Sequence, residues 1–568
     1  MLKPVYTEPE NCQDCYKCVR ECPVKAISVE NNKASIIYDR CVFCGHCTQV
    51  CPTGAKKVRD GLTRARMTVA RHDKVYLSLA PSYISEFMGV SEASLCTAAK
   101  KLGFAGVSET ALGAELVSDR TDKMMEDTPY SISISSACPV IVNYICKYVP
   151  EYRERITPIA SPMLAHAKML KELYGDDIKV VFAGPCIAKK TEADRHPELV
   201  DVAITFRDLA EWFESEGIDP AREASPAESN SFVPYGSRSG ALYPVEGGMI
   251  EGLRKNQDRK TCMSFSGLRT MKDIFSELKS HEGGEQLFLE LLACRGGCVN
   301  GPARLNSLSP VFKRNEVIRH SEIGAPANDF PLLDLEEPYR DKPVSEIIHS
   351  EREILEALAA VGKTSISDEL NCSGCGYDSC RDFAVAMLDG RAEENMCVSY
   401  MRKIAHDKAT VLLHKIPAGV VMVNSQLNVV DMNRAFAAAM GEDTLAVYEV
   451  RPGMEGASLA KLTPFANLFK TVLATGEEIV GRRVSHGGKM FLLSIHSIQP
   501  QHLVFGLLQD MHEPAVHKEW MLEKTRDVIG KHMETVQEVA RLLGENAAFT
   551  DSTLRSVIDS LGDGEQKK

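Results

Sequence analysis

Two stretches near the N-terminus hold the densest chemistry of the chain. Residues 12–22 read "CQDCYKCVREC" and residues 41–51 read "CVFCGHCTQVC", followed at once by Pro23 and Pro52. The pattern C-x2-C-x2-C-x3-C-P therefore occurs twice. In this spacing three thiolates from one short loop reach three corners of a cubane, and the fourth ligand crosses over from the other repeat. The spacing assigns Cys12, Cys15, Cys18 and Cys51 to one 4Fe-4S cluster, and Cys41, Cys44, Cys47 and Cys22 to a second. A pair of zinc knuckles is the competing reading, but tetrahedral zinc usually draws on two C-x2-4-C pairs rather than doubled triplets ending in C-P. The chemistry implied is one-electron transfer.

Further along, single cysteines sit in Gly- and Pro-rich loops: Cys138 in "SSACPV", Cys186 in "AGPCIAKKTE", and Cys294 with Cys298 in "ELLACRGGCVNG". Four thiolates from three loops can hold another cubane, and the flanking Gly and Pro open the backbone to a bulky ligand. Cys96, Cys146 and Cys262 lack that setting and read as small buried apolar residues. A fourth set, Cys372, Cys375, Cys380 and Cys397, lies in "NCSGCGYDSCRDFAVAMLDGRAEENMC". Its C-x2-C-G-x3-C turn, helix and returning cysteine suit a small 4Fe-4S domain, with structural zinc as the alternative.

These residues need elements to place them. The chain has 568 residues and 19 cysteines, too long for one core. Without an apolar N-terminal leader the cysteines read as metal ligands rather than disulfides, and the expected location is cytoplasmic. A net charge of -12 argues against a general nucleic-acid binder, and no apolar run suggests a membrane span. Between the first two cysteine groups, "AISVENNKASIIYDR" reads as two strands about the "ENNK" turn. After residue 60 strands and helices alternate: "KVYLSLAPS" is a strand into a loop, "EASLCTAAKKLGF" an amphipathic helix, and "IKVVFAGPC" a buried strand ending at Cys186. An α/β core is expected, with its ligand chemistry at strand ends. "PVSEIIHSEREILEALAAVG" reads as helical.

The first sixty residues resemble the two-cluster bacterial ferredoxin module. Residues 70–310 resemble the iron-only (FeFe) hydrogenases, whose three signature loops read roughly T-S-C-C-P, M-P-C-x-x-K-x-x-E and E-x-M-x-C-x-x-G-C. Here the same order gives Ser135-Ser136-Ala137-Cys138-Pro139, Gly184-Pro185-Cys186 with Lys189 and Glu192, and Glu290-Leu291-Leu292-Ala293-Cys294 with Gly297-Cys298. "LAPSY" at 79–83, "IASPMLAHAKML" at 159–170 and "YPVEGGMIEGLR" at 243–254 share the likeness. The resemblance implies an H-cluster: a 4Fe-4S cubane held by Cys138, Cys186, Cys294 and Cys298, bridged through Cys298 to a two-iron subsite with carbonyl, cyanide and dithiolate ligands. Lys189 would set its ammonium against a cyanide, and Pro81 and Ser82 would line the dithiolate side. The implied reaction is reversible heterolysis of dihydrogen, with electrons leaving through the cubanes.

The departures matter as much. Ala137 stands where proficient members have a proton-accepting cysteine, and a methyl group cannot relay a proton. Arg120 and Thr121 fall where paired glutamates continue the relay, and Gly184 and Leu292 replace two methionines. Slow turnover is expected.

From about residue 408 the cysteines stop. "VLLHKIPAGVVMVNSQLNVVDMNRAFAAAMG" runs helix, strand, turn, strand, helix and resembles a PAS domain, with Asn433 in its D-x-N-R-A-F position; "EEIVGRRVSHGGKMFLLSIHSIQPQHLVFGLLQDM" supplies the remaining strands. No cofactor of this domain can be read, and His414 and His496 read as ordinary residues. The tail carries an apolar stripe of Met521, Val528, Met533, Val536, Val539 and Leu543, suited to dimerisation, a partner contact or docking. His532 lacks the ATP-binding domain a histidine kinase requires. The expected architecture is multidomain α/β and α+β: a ferredoxin module over 1–60, a hydrogenase H-cluster core over 61–335, a 4Fe-4S domain over 343–402, a PAS domain over 408–512 and a helical signalling or dimerisation tail over 513–568. The expected function is slow hydrogen or redox sensing. The expected partners are a ferredoxin-like redox protein, a signalling protein reached through the PAS domain or tail, and hydrogenase maturation proteins. The alternatives are a metabolic ferredoxin-linked hydrogenase and a non-catalytic electron relay.

Overall fold

The computed structural model describes residues 2–128, 130–223, 231–237, 239–253, 261–278, 286–322 and 333–511. It opens with β1 (Val5–Thr7), α1 (Lys17–Glu21), β2 (Ile27–Glu30), β3 (Lys33–Ile36), α2 (His46–Val50) and β4 (Lys56–Val58). β2 and β3 form the expected hairpin, turning at Asn31 and Asn32 with φ of 50° and 58°. Asparagine tolerates that left-handed backbone, and two such residues in a row make the turn whose twist matches paired strands. β1 pairs antiparallel with β4, which brings the two ends of the module together.

The next segment runs α3 (Leu62–Arg71), β5 (Val75–Leu79), α4 (Tyr83–Glu86), α5 (Glu92–Lys101), β6 (Gly106–Glu109), α6 (Ala111–Asp127), β7 (Ile132–Ile134), α7 (Pro139–Tyr148), α8 (Pro162–Tyr174), β8 (Lys179–Gly184), α9 (Ala188–Arg195), β9 (Val202–Thr205), α10 (Phe206–Ser215), α11 (Gly248–Gly252), β10 (Thr261–Ser266), α12 (Leu268–Leu278), β11 (Leu287–Leu292) and α13 (Pro310–Glu322). One parallel sheet has the order β6-β5-β8-β9 and a second the order β10-β11-β7. β6, β7 and β9 are buried along their whole length, as expected of parallel strands covered on both faces. Helices α6 and α8 pack closely because Gly113 has no side chain: a Cβ there would strike the Pro162 carbonyl.

Two further helices, α14 (Glu351–Ala360) and α15 (Cys380–Leu388), complete the first compact unit, Met1–Met396. The helix expected from residue 343 starts only at 351. Ser350 and Glu353 form a reciprocal capping box that fixes the start, while the amides of Lys342 and Val344 are taken by the carbonyls of Cys146 and Lys147.

The second unit is Cys397–Lys568. It holds α16 (Val398–Lys415), β12 (Gly419–Asn424), β13 (Val429–Met432), α17 (Arg434–Ala439), α18 (Glu442–Val450), α19 (Leu459–Leu462), α20 (Ala466–Thr475), β14 (Ile479–His486), β15 (Lys489–Gln499) and β16 (Leu503–Asp510). Its strands form one antiparallel sheet in the order β13-β12-β16-β15-β14. Asn433 is wholly buried and caps α17: its Oδ1 accepts from the amides of Phe436 (2.9 Å) and Val420 (2.8 Å), and its Nδ2 donates to the Ala418 carbonyl (2.8 Å). His496 bonds Glu478 at 2.9 Å near the surface. The His414 side chain and the tail residues Met521, Val528, His532, Met533, Val536, Val539 and Leu543 lie outside the described residues. Among the described residues no helix is long and apolar enough to cross a membrane.

Candidate functional site

Four strand ends build the central site. β5 runs into Pro81-Ser82, β7 into Ser135–Cys138, β8 into Pro185-Cys186 and β11 into Cys294–Cys298. All are carboxyl ends of parallel strands, where open α/β sheets place ligands. The loop after β11 depends on glycine: Gly296 and Gly297 have φ of 75° and 105°, and a Cβ on Gly297 would collide with the Pro244 carbonyl.

The four cysteines of this site sense one another. Burial pushes Cys186 up to about 11, with the Cys138 charge acting the same way. Burial also raises Cys294 and Cys298, each further raised by Cys138 and Cys186. A buried group of thiols stays protonated unless a cation neutralises it, and bound iron is such a cation. Lys189, on α9, acts on both Cys186 and Cys298. It is buried, and its Nζ donates to Ser161 Oγ (2.8 Å) and Glu192 Oε2 (2.6 Å).

Two buried oxygens here have no hydrogen-bond partner: Ser82 Oγ and Glu290 Oε2. Orphaned buried polar atoms are costly, and both fit a site whose remaining partner is a bound group. The other Glu290 oxygen accepts from the Met249 amide at 3.3 Å, and burial lifts this carboxyl to about 7. In the sequence Glu290 stands only as the first residue of the third signature loop, with nothing to mark its burial or its unpaired oxygen.

Ala137 is part-buried and packs on the core, its amide donating to Ser135 Oγ at 3.2 Å. Thr121 is buried and returns its hydroxyl to the Val117 carbonyl, while Arg120 is exposed. At Gly184 the missing side chain has a definite replacement. A Cβ there would lie 2.7 Å from the Phe182 ring and 2.9 Å from Ala80, so the aromatic ring fills the space. Pro81 is part-buried beside Ser82. Cys96 is buried in the apolar core and Cys262 packs against it part-buried, whereas Cys146 is buried with Asp341, Arg153 and Lys342 near enough to act on it.

The N-terminal cysteines lie close enough together to act on one another. Burial raises Cys18 to about 11, and Cys15, Cys12 and Cys51 add to it. Cys44, raised by burial, feels Cys22, Cys41 and Cys47. The two repeats share a backbone: the residue before and the residue after the second cysteine are left-handed in both, Asp14 and Tyr16 in one, Phe43 and Gly45 in the other. Gly376 repeats the second of these positions after Cys375, with φ of 95°. Among the described residues no three His, Cys, Asp or Glu side chains close around a single metal ion.

The module docks on the central site. A Cβ on Gly45 would strike Ile187, next to Cys186, and Gln49 Nε2 donates to the Gly301 carbonyl at 3.4 Å. Cys44 is close enough to Cys294 to raise its pKa. From the other side, Lys147 near the end of α7 donates to the carbonyls of Tyr38 (3.1 Å), Asp39 (2.8 Å) and Cys41 (2.8 Å). One helix thus starts at Cys138 and ends on the loop that carries Cys41. Of the third set, Cys372 is exposed, Cys375 part-buried and Cys380 buried; Cys397 opens the second unit and is buried.

Three family models match parts of the chain. Residues 73–302 match the family "Iron only hydrogenase large subunit, C-terminal domain". Residues 6–55 match the "4Fe-4S dicluster domain", and 368–399 match a family described as a candidate Fe-S cluster. The NADP-reducing hydrogenase subunit HndD of Solidesulfovibrio fructosivorans is 28% identical over 57% of this chain and 67% of its own. The periplasmic Fe hydrogenase large subunit of Nitratidesulfovibrio vulgaris is 25% identical over 44% of this chain and 70% of its own. The FeFe-hydrogenase HydA1 of Chlamydomonas reinhardtii superposes with a TM-score of 0.37 at 19% identity, over 50% of this chain and 91% of that one.

Proposed function

The chain being iron-only-hydrogenase-like in its core and ferredoxin-like at its N-terminus, we propose that it is a slow hydrogen or redox sensor. Cys138, Cys186, Cys294 and Cys298 would hold an H-cluster, which when bound supplies reversible heterolysis of dihydrogen. The observation that carries the slow, sensory reading is Ala137. General acid–base catalysis needs a titratable group within hydrogen-bond reach, and at this position the chain presents a methyl group packed on the core.

The other residues hold and surround the group. Lys189 offers a buried ammonium, and Ser161 and Glu192 fix where it points. The Ser82 hydroxyl, without a protein partner, is free to bond a ligand next to Pro81. Phe182 and Ala80 close the space at Gly184 and exclude water from it. Electrons would leave by the cluster of Cys41, Cys44, Cys47 and Cys22, since Cys44 neighbours Cys294. They would then reach that of Cys12, Cys15, Cys18 and Cys51, or a further cluster on Cys372, Cys375, Cys380 and Cys397.

The strand order of the second unit, with its helices between the second and third strands, supports a PAS output domain. A fold by itself names no ligand. In this reading the protein is cytoplasmic, meets a ferredoxin-like redox partner and a signalling partner, and needs maturation proteins. The relative named as an NADP-reducing hydrogenase subunit favours a second reading, a metabolic hydrogenase with the C-terminal domain regulating it. Infrared spectroscopy of matured protein together with measured turnover separates the readings. Carbonyl and cyanide bands with slow turnover support the sensor, bands with fast turnover support the metabolic enzyme, and well-matured protein without bands supports a non-catalytic relay.

A further inference from the structure

Two loops of the central site are joined by an ion pair. The side chains of Glu86, the last residue of α4, and Lys313, in α13, are both wholly buried, with Glu86 Oε1 and Lys313 Nζ 2.6 Å apart. Lys313 Nζ also donates to the carbonyls of Asn306 (3.1 Å) and Val299 (3.3 Å), so the three protons of the ammonium have three acceptors. Glu86 Oε2 accepts from the amides of Leu305 (2.6 Å) and Asn306 (3.2 Å). Taking two charges out of water is costly, and an apolar pair of similar volume often gives an equally stable core or a more stable one. Stability alone therefore does not account for the pair. A fully satisfied buried network does fix one arrangement of the segments it joins.

Those segments are two walls of the site. α4 is a single turn at the end of the Pro81-Ser82 loop: the Ser85 amide (3.1 Å) and hydroxyl (2.9 Å) both donate to the Ser82 carbonyl. The Asn306 side chain holds the same turn from outside, donating to the Ser85 carbonyl at 2.8 Å. α13 takes a second hold on α4 through His320, whose Nε2 lies 3.4 Å from the Tyr83 hydroxyl with the two rings edge to face. On the other wall, Val299 follows Cys298 directly. A shift of Glu86 is thus a shift of Ser82, whose buried hydroxyl has no partner in the protein.

We propose that Glu86 and Lys313 are positioning residues for the central site. Their ion pair fixes the Pro81-Ser82 loop against the loop of Cys298, so that the Ser82 hydroxyl meets the bound group from one direction. Neither residue touches that group; both act through Ser82 and Val299. This rests on the reading of an H-cluster held by Cys138, Cys186, Cys294 and Cys298.

The test is infrared spectroscopy of the matured full chain, with iron counted in each preparation. Glu86→Leu combined with Lys313→Met removes both charges and keeps most of the volume. This double variant is expected to keep its iron count while its carbonyl and cyanide bands shift and broaden. Ser82→Ala alone is expected to shift the bands, and to add nothing further in the double variant, where the hydroxyl is no longer held in place. If the double variant does not fold, Glu86→Gln, which keeps the shape of the side chain and gives up its charge, decides by the same bands. Bands identical to those of the unmodified chain at equal iron content, or a Ser82→Ala shift undiminished in the double variant, overturn the role and leave the pair purely structural. An unmodified chain that is matured and iron-loaded yet shows no bands overturns the H-cluster reading and this role with it.

Discussion

On the proposed function, one side chain beside Cys138 limits how fast the central site turns over. Replacing Ala137 with cysteine adds a thiol where the core now offers only a methyl group, and a positioned proton-transfer group is worth about 10²–10⁴ in rate. Ala137→Cys should raise hydrogen evolution at least about tenfold, allowing for the Arg120 and Thr121 departures further along the relay. An unchanged rate with intact infrared bands would place the limit elsewhere. Glu290 makes a second prediction, on stability. Burial holds its folded pKa near 7, above the ordinary glutamate value of 4.5, so between those values the folded chain keeps a proton that the unfolded chain has lost. Stability contributed by this group is complete at low pH, falls as pH rises from about 4.5 to about 7, and is flat above. Glu290→Gln should therefore stabilise the cluster-free chain at pH 8 by on the order of 2 kcal/mol and have little effect near pH 4. Thermal unfolding at both pH values measures it, and an equal effect at both would show that the carboxyl is not the cause. Ala137 was readable from the sequence because a motif surrounds it. Glu290's missing partner and the Phe182 ring filling the space at Gly184 were not, because both are facts of packing between strands.

At the scale of elements, α7 links two cysteine sets. Its N-terminus follows Cys138, and Lys147 near its other end grips three carbonyls of the Tyr38–Cys41 loop. Lys147→Met keeps the length and removes all three bonds, leaving part-buried carbonyls unmet at a cost of about 1–3 kcal/mol. The expected result is a lower unfolding midpoint and weaker spin coupling between the central cubane and its neighbour, with infrared bands retained. An unaffected midpoint and coupling would reduce Lys147 to a solvated residue, which is how a lysine near a helix C-terminus reads in sequence. The strands ending at Ala-Pro-Ser and at Pro-Cys were legible as buried apolar runs, whereas β7, three residues long and set in a run of serines, was not. The start of α14 was not read correctly: its apolar spacing extends upstream, but backbone bonds from Lys342 and Val344 to α7 hold that stretch out of the helix.

For the whole molecule the question is which parts depend on which. The apolar core of the first unit draws on residues from Leu62 to Leu335, and that of the second from Val421 to Leu508, with no residue in common. All cysteines assigned to the central and N-terminal sets lie in the first unit. Separate cores unfold as separate cooperative units, so cluster chemistry should survive removal of the second core. A chain ending at Arg402 is expected to keep its infrared bands and a hydrogen turnover within about twofold of the full chain, because no ligand of the central cubane and no contact of the ferredoxin-like module is removed. A chain ending at Met396 lacks Cys397 as well, and should lose about four irons while keeping the same bands. If the bands vanish in the longer truncation, the second unit is needed to assemble the first, and a downstream reporter becomes part of the catalytic fold. If they persist while the response of a signalling partner to dihydrogen is lost, the chain divides its work as its cores divide its sequence: chemistry before Cys397, output after it.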